Sequence, residues 1–135
     1  MNGVDTNVLL RFIVRDDADQ AAAADMFLER ECSRDAPCLI NRIVLCELVW
    51  VLERGYRYRR DPIAGVIDKI LRTEEFRVEN AAEAWAALQA YRDGRGDFAD
   101  GLIGKTNRAL GCAGTATFDR EAGGMEEFIL LPVGR

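Results

Sequence analysis

Asp5, Glu47, Asp97, Asp100 and Asp119 are the side chains in this sequence from which catalytic chemistry can be built. The chain contains no histidine, which removes Ser-His and Cys-His nucleophilic catalysis and the common zinc sites. What is left is carboxylate, lysine or tyrosine chemistry, or a hard metal held by oxygen. Asp5 closes the stretch Met1-Asn2-Gly3-Val4, which reads as a short buried strand running into a helix that starts near Asn7. An acid at the carboxyl end of such a strand points into the crevice where α/β sheets bind ligands, although Asp5 or Thr6 also suits a helix cap.

Glu47 lies within a strongly apolar stretch. On a helix its neighbours three and four positions away are Ile43, Val44, Trp50 and Val51. A carboxylate on that face is expected to lose water, and so to be protonated, bound to a cation, or paired with an arginine such as Arg11 or Arg42. Asp97-Phe98-Ala99-Asp100 places two acids on one side of a first helical turn, a pattern that also resembles a capping box. Asp119 repeats the setting of Asp5, an acid after a short apolar strand and before a helix.

In a parallel sheet, the carboxyl ends of strands and the amino ends of the following helices share one edge. That edge is predicted to collect Asp5, Asp97, Asp100 and Asp119, with Glu47 reaching it from its helix. Converging carboxylates without nitrogen or sulfur ligands select Mg²⁺ or Mn²⁺. Without a metal they repel, and some hold protons near neutral pH. The chemistry that suits such a site is phosphodiester hydrolysis, in which the metal activates water and stabilises the charge that develops on phosphorus and the leaving oxygen. Thr6, Asn7 and Thr117 are short polar groups placed to hold waters, acids or phosphate oxygens.

The elements that must position these groups alternate along the chain. Helices are predicted over 7–13, from Asp17 or Asp19 to about 31, over 43–54 behind an Asn41 cap, and from Asp61-Pro62 onward. In the second of these, Ala23, Met26 and Phe27 are expected on one face. Further helices follow an Asn80 cap and run over 97–110, and strands are predicted at 36–40, 76–79, 115–118 and 127–131. The fold class is α/β, a three-layer α/β/α sandwich on a mostly parallel four- to five-stranded sheet. Gly55-Tyr56-Arg57-Tyr58-Arg59-Arg60 forms a basic turn. With Arg54 it is either a solvated turn or a surface that holds RNA phosphates and stacks bases.

A length of 135 residues suits a single domain, residues 1–135, and a composition 49% hydrophobic and 30% charged is that of a globular protein. The net charge of −5 argues against a general nucleic-acid coat but not against a nuclease whose acids bind metal. No apolar run reaches the ~20 residues of a membrane span and no secretion signal is visible, so a cytoplasmic location is expected. Cys46 and Cys112 read as reduced core residues. Spacing allows a Cys32–Cys38 disulfide, which is not expected in a cytoplasmic protein.

The series Val4-Asp5-Thr6-Asn7 with Leu10-Arg11, a lone glutamate on an apolar mid-chain helix, Asp97-Phe98-Ala99-Asp100 with Leu102-Ile103, and Thr117-Phe118-Asp119-Arg120 resembles the PIN-domain ribonucleases. More narrowly, it resembles the VapC toxins of prokaryotic toxin–antitoxin pairs. The resemblance covers nearly the whole chain. It implies an Mg²⁺- or Mn²⁺-dependent endoribonuclease in which Asp5, Glu47, Asp100 and Asp119 are the acidic quartet and Asp97 is an additional acid. Asp5 and Asp100 are the implied principal metal ligands, while Asn7, Arg11 and Thr117 match supporting positions. It further implies a homodimer, an RNA substrate, and a VapB-like antitoxin that lies in an apolar groove. Gly101 and Gly104 depart from the alanines usual in the family, which predicts a looser helix or a closer backbone approach there.

Two other acidic-site folds compete. A haloacid-dehalogenase-like phosphatase wants a second aspartate where this chain has Asn7. A phosphoacceptor receiver module wants paired acids after the first strand and a lysine after the last, and Lys69 and Lys105 are not so placed.

Overall fold

The computed structural model describes residues 1–134, which form helices and short parallel strands in two compact units, Met1–Ala81 and the residues from Ala82 onward. The first unit contains α1 (Thr6–Val14), α2 (Ala18–Glu31), β1 (Cys38–Ile40), α3 (Arg42–Arg54), α4 (Arg60–Arg72) and β2 (Phe76–Val78). Three of its helices begin on a side-chain acceptor. Asp5 accepts from the Thr6 N–H at 2.7 Å, Asp17 from Gln20 at 3.0 Å and Asn41 from Val44 at 2.9 Å. Pro62 sits in the first turn of α4, where its missing N–H leaves no helical bond unmade. β1 pairs in parallel with β2, Cys38 opposite Phe76 and Ile40 opposite Val78. The core comprises Leu9 of α1, Ile40 of β1, Leu45, Leu48 and Leu52 of α3, and Ile63 and Ile67 of α4, all fully buried.

The second unit begins within the first turn of α5 (Ala81–Arg92) and continues through α6 (Phe98–Ala109), β3 (Thr115–Thr117), α7 (Arg120–Gly123) and β4 (Phe128–Leu130). Tyr91 of α5 and Phe98 of α6 meet edge to face, with ring centroids 6.1 Å apart, in the middle of its core. Gly96, at φ +68°, turns the loop that delivers Asp97 to the start of α6. β3 runs parallel to β4, Thr115 opposite Phe128 and Thr117 opposite Leu130. Glu127 is buried at 2% exposure and paired with Lys105, so its charge is compensated.

Several expectations change. The single four- to five-stranded sheet is replaced by two parallel two-stranded sheets, one in each unit. Each ladder is three residues long because the flanking residues turn at once into helix caps, Asn41 after β1 and Asp119 after β3. The opening stretch is not a buried strand. Met1 to Gly3 are exposed, and Gly3 contributes one parallel bridge to Leu39, supported by the Val4 N–H to Leu39 O bond of 3.0 Å. In α2, the face that carries Ala23, Met26 and Phe27 is the exposed one, and the helix buries Ala21, Ala24 and Leu28.

Asn80 adopts φ +51° rather than an extended capping conformation. Cys32 and Cys38 are the buried cysteines and are joined in a disulfide, whereas Cys46 is half-buried and Cys112 exposed. At Gly101 and Gly104, α6 runs unbroken. The closer approach is what occurs, since a Cβ on Gly104 would stand 2.7 Å from the Phe128 ring.

Candidate active site

In the first unit, the bend between Val4 and α1 brings Asp5 to the start of the helix. The Asp5 carboxylate is exposed and accepts the Thr6 N–H, so the capping role and an outward-facing oxygen coexist on one residue. Thr6 is buried, and its hydroxyl donates to Glu47 Oε1 at 2.7 Å. The first turn of α1 is therefore fastened to the middle of α3 through two candidate site residues.

Glu47 differs from its sequence-based expectation. α3 buries Val44, Leu45, Leu48, Val49 and Leu52, which places Glu47 on the opposite, exposed face between Ile43 (67% exposed) and Trp50 (58%). Its carboxylate is not desolvated. Neither suggested arginine pairs with it: Arg42 binds Glu79, and Arg11 binds Asp16.

Arg11 also donates to Gln20 at 2.6 Å and to the Tyr56 hydroxyl at 3.1 Å, while Tyr56 donates to Asp16 at 2.6 Å. These bonds hold the Asp16 carboxyl below its usual range, the Tyr56 bond contributing most. Arg11 and Tyr56 thus fix the basic turn to the α1–α2 junction. Arg54, Arg57 and Arg59 remain exposed and Arg60 is half-buried, while the Tyr58 ring lies 6.0 Å from that of Tyr56. Asn7 is exposed and lines the same shallow pocket as Asp5.

In the second unit, the loop ending at Gly96 and the start of α6 place Asp97 and Asp100 one turn apart. Asp97 caps α6 by accepting the Asp100 N–H at 2.7 Å. β3 delivers Asp119, whose N–H donates to Thr117 Oγ1 at 3.0 Å and whose carboxylate accepts from Ala122 at 2.9 Å. Asp100 is half-buried, and its carboxyl is pushed up to about 6. Lost hydration is the largest cause, followed by the charges of Asp97 and Asp119, a hydrogen bond with Asp97, and the charge of Glu121. Glu121 was not singled out from sequence; its signal is its place in the first turn after Asp119, within the same short helix.

The acids of the second unit are oxygen donors, and burial together with their mutual repulsion raises the Asp100 carboxyl to about 6. That donor chemistry suits a hard divalent cation. Among the described residues no three acidic or thiol side chains stand as a ready ligand set. Mg²⁺ tolerates such a site, because it commonly keeps several waters and takes one or two carboxylates.

The unit from Met1 to Ala81 also holds an apolar groove of about 860 Å³, lined by Leu9, Phe12, Leu28, Val66, Ile70 and Phe76. The Arg15–Asp25 ion pair and Lys69 also line it.

Comparison with known proteins agrees with the resemblance of the sequence to the PIN-domain ribonucleases. A family model described as PIN domain matches residues 4–126. A VapC ribonuclease of Aquifex aeolicus (strain VF5) is 29% identical over 120 residues, covering 89% of this chain and 88% of that relative. No solved structure matches the chain. With a family match that covers residues 4–126 and so runs through both compact units, the chain belongs to the PIN-domain family.

Proposed function

We propose that this protein is a VapC-like endoribonuclease toxin whose acidic set is Asp5, Glu47, Asp97, Asp100 and Asp119. The observation that carries this reading is Asp100, half-buried in the first turn of α6, whose carboxyl is raised to about 6 by lost hydration first and then by the charges of Asp97, Asp119 and Glu121. Helix capping uses the carboxylates of Asp97 and Asp119, and gives no reason for a third acid, Asp100, to face their charges. The named relative supplies the substrate class, RNA.

Asp5 and Asp100 would be the principal holders of Mg²⁺ or Mn²⁺, with Glu47, Asp97 and Asp119 supporting. Such an ion would supply a water of lowered pKa and positive charge for the negative charge that develops in the reaction. The chain's own residues do the positioning. Asp97 orients Asp100 through its N–H, Thr117 holds the backbone of Asp119, and Thr6 fixes Glu47. Asn7 is exposed beside Asp5 and is available to a phosphate oxygen.

Residues 1–135 are read as one PIN domain of α/β/α type, because the family match continues across both units. The apolar groove of the first unit is assigned to the terminal segment of a VapB-like antitoxin. The reading includes a homodimer, as the resemblance to the VapC toxins implies. No helix among the described residues is long and apolar enough to cross a membrane. A toxin of this kind acts where its RNA is, in the cytoplasm, a compartment in which the Cys32–Cys38 disulfide would be unusual.

The deciding experiment is cleavage of a mixed RNA pool with Mg²⁺ by wild type, Asp5→Asn and Asp100→Asn. Both variants are expected to lose at least about 100-fold in rate, the scale on which removing electrostatic groups acts at active sites. Equal cutting by all three proteins overturns the assignment.

A further inference from the structure

An acidic site that cuts RNA must also hold a polyanion, so the chain needs groups near the acids that attract or stack the strand. Two side chains flanking Asp119 have those properties and no structural duty. Phe118 occupies the bend between β3 and α7 and is 69% exposed, more than any other aromatic side chain among the described residues. Arg120 is exposed and makes no hydrogen bond or ion pair among the described residues, although Asp119 and Glu121 adjoin it in sequence.

The backbone beneath them is fixed. Leu131 N–H donates to Thr117 O at 2.8 Å, Gly123 N–H to Asp119 O at 2.8 Å, and Asp119 N–H to Thr117 Oγ1 at 3.0 Å. A phenyl ring and a guanidinium are thus presented one residue to either side of a candidate catalytic acid, on a segment that does not need to be ordered first.

Resting on the ribonuclease reading above, we propose that Phe118 and Arg120 form a substrate-reading pair, Phe118 stacking on an unpaired base and Arg120 taking a flanking phosphate of single-stranded RNA. Base–aromatic stacking is tolerant of sequence, because every base offers a π-face, and a guanidinium pairs with phosphate in bidentate geometry. A second protein chain is a poorer occupant. Covering Phe118 would also strip water from Asp119, Arg120 and Glu121, at a cost that a small apolar contact does not repay. Duplex RNA is a poorer ligand as well, since its bases are already stacked.

The test is fluorescence anisotropy with a labelled mixed-sequence 12-nucleotide single-stranded RNA in EDTA, which prevents cutting, together with KM and kcat in Mg²⁺. Phe118→Ala is expected to weaken binding about tenfold, and to raise KM more than it lowers kcat, while Phe118→Tyr restores both. Arg120→Ala is expected to weaken binding several-fold, and to reduce the slope of log affinity against log salt by about 0.7. Thermal melts and sedimentation of each variant check folding and assembly.

Affinity and KM unchanged in Phe118→Ala overturn the proposal, as does a loss that tyrosine fails to restore. If Phe118→Ala alters the sedimenting mass and leaves RNA affinity alone, the ring belongs to a contact between copies and the proposal is wrong. Wild type that cuts RNA while Phe118→Ala behaves identically removes only this pair. Wild type that neither binds nor cuts RNA removes the ribonuclease reading with it.

Discussion

Thr6 Oγ1 donates to Glu47 Oε1 across 2.7 Å, joining the first residue of α1 to the middle of α3. The bond explains how an exposed glutamate keeps a defined direction. It also separates two roles that Glu47 plays, acceptor and charge, which substitution can divide. Thr6→Val keeps the shape and removes the donor, and it is expected to cost about 1 kcal/mol of stability. Glu47→Gln keeps an acceptor for Thr6 and removes the charge. It should leave the urea midpoint almost unchanged and abolish most RNA cleavage. If Glu47→Gln unfolds the protein as readily as Thr6→Val does, the carboxylate is structural and its place in the acidic set is lost.

What could be read from sequence divides along the same line, between local chemistry and the choice of face. Asp17, Asn41, Asp97 and Asp119 could each be identified as helix caps, because a cap is made by a side chain and a backbone three residues away. The side of a helix that turns inward is decided by its neighbours. In α3 apolar residues occur on every side, so periodicity alone could not tell that Leu45, Leu48 and Leu52 face the core and Trp50 the solvent. In α2 the alanines outnumber the large residues, and the close-packing Ala21 and Ala24 displaced Met26 and Phe27 outward. The three-residue strands carry too few residues for alternation to reveal which ladders they join. Which acids form a site was less legible, because a carboxylate at a helix start also serves as a cap, and the burial and crowding that raise Asp100 depend on distances no pattern contains.

That crowding has a consequence for stability against pH. The Asp100 carboxyl titrates at about 6 in the folded protein against an ordinary value of 3.8. Between those two values the folded state keeps a proton that the unfolded chain has released. Stability contributed at this residue therefore falls as pH rises from about 4 to about 6, and stays lower above that window. Asp100→Asn removes the penalty. In EDTA the variant is expected to be more stable than wild type at pH 7 by about 1 kcal/mol, a figure reduced for solvent screening at a half-buried site. At pH 3.5 the two should coincide. A stability gap that does not change between those pH values would show that the acids do not interact as described.

Gly101 and Gly104 should respond to alanine with opposite signs. A Cβ on Gly101 meets Ala87 at 3.5 Å, an ordinary contact, so the helix-propensity gain of up to about 1 kcal/mol is realised. A Cβ on Gly104 would stand 2.7 Å from the Phe128 ring and 3.0 Å from Glu127 Cβ. Overpacking of that kind costs about 1–3 kcal/mol, which exceeds the propensity gain. Gly101→Ala is expected to raise the melting temperature and Gly104→Ala to lower it. Stabilisation by both would mean that β4 yields freely to α6.

The Cys32–Cys38 bridge closes a short loop, with a sequence separation of 6, between the end of α2 and the start of β1. In the chain-entropy account, a loop of that size stabilises the fold by about 2 kcal/mol by restricting the unfolded chain. Both cysteines are buried, at 6% and 0% exposure, so a thiol reductant must wait for the segment to open, and reduction should be slow in native buffer and fast in urea. Reduced wild type is expected to unfold at a lower urea midpoint than oxidised wild type, by an amount equal to about 2 kcal/mol. A Cys32→Ala/Cys38→Ala double variant should ignore the reductant altogether. Cys32 also lines the apolar groove of the first unit, so the reduced protein should show faster proteolysis within Ser33 to Pro37 and faster amide exchange at the end of α2. Matching urea midpoints for the oxidised and reduced protein would mean that the backbone hydrogen bonds from Cys32 to Leu28 and from Ser33 to Ala36 already hold the loop without the bridge.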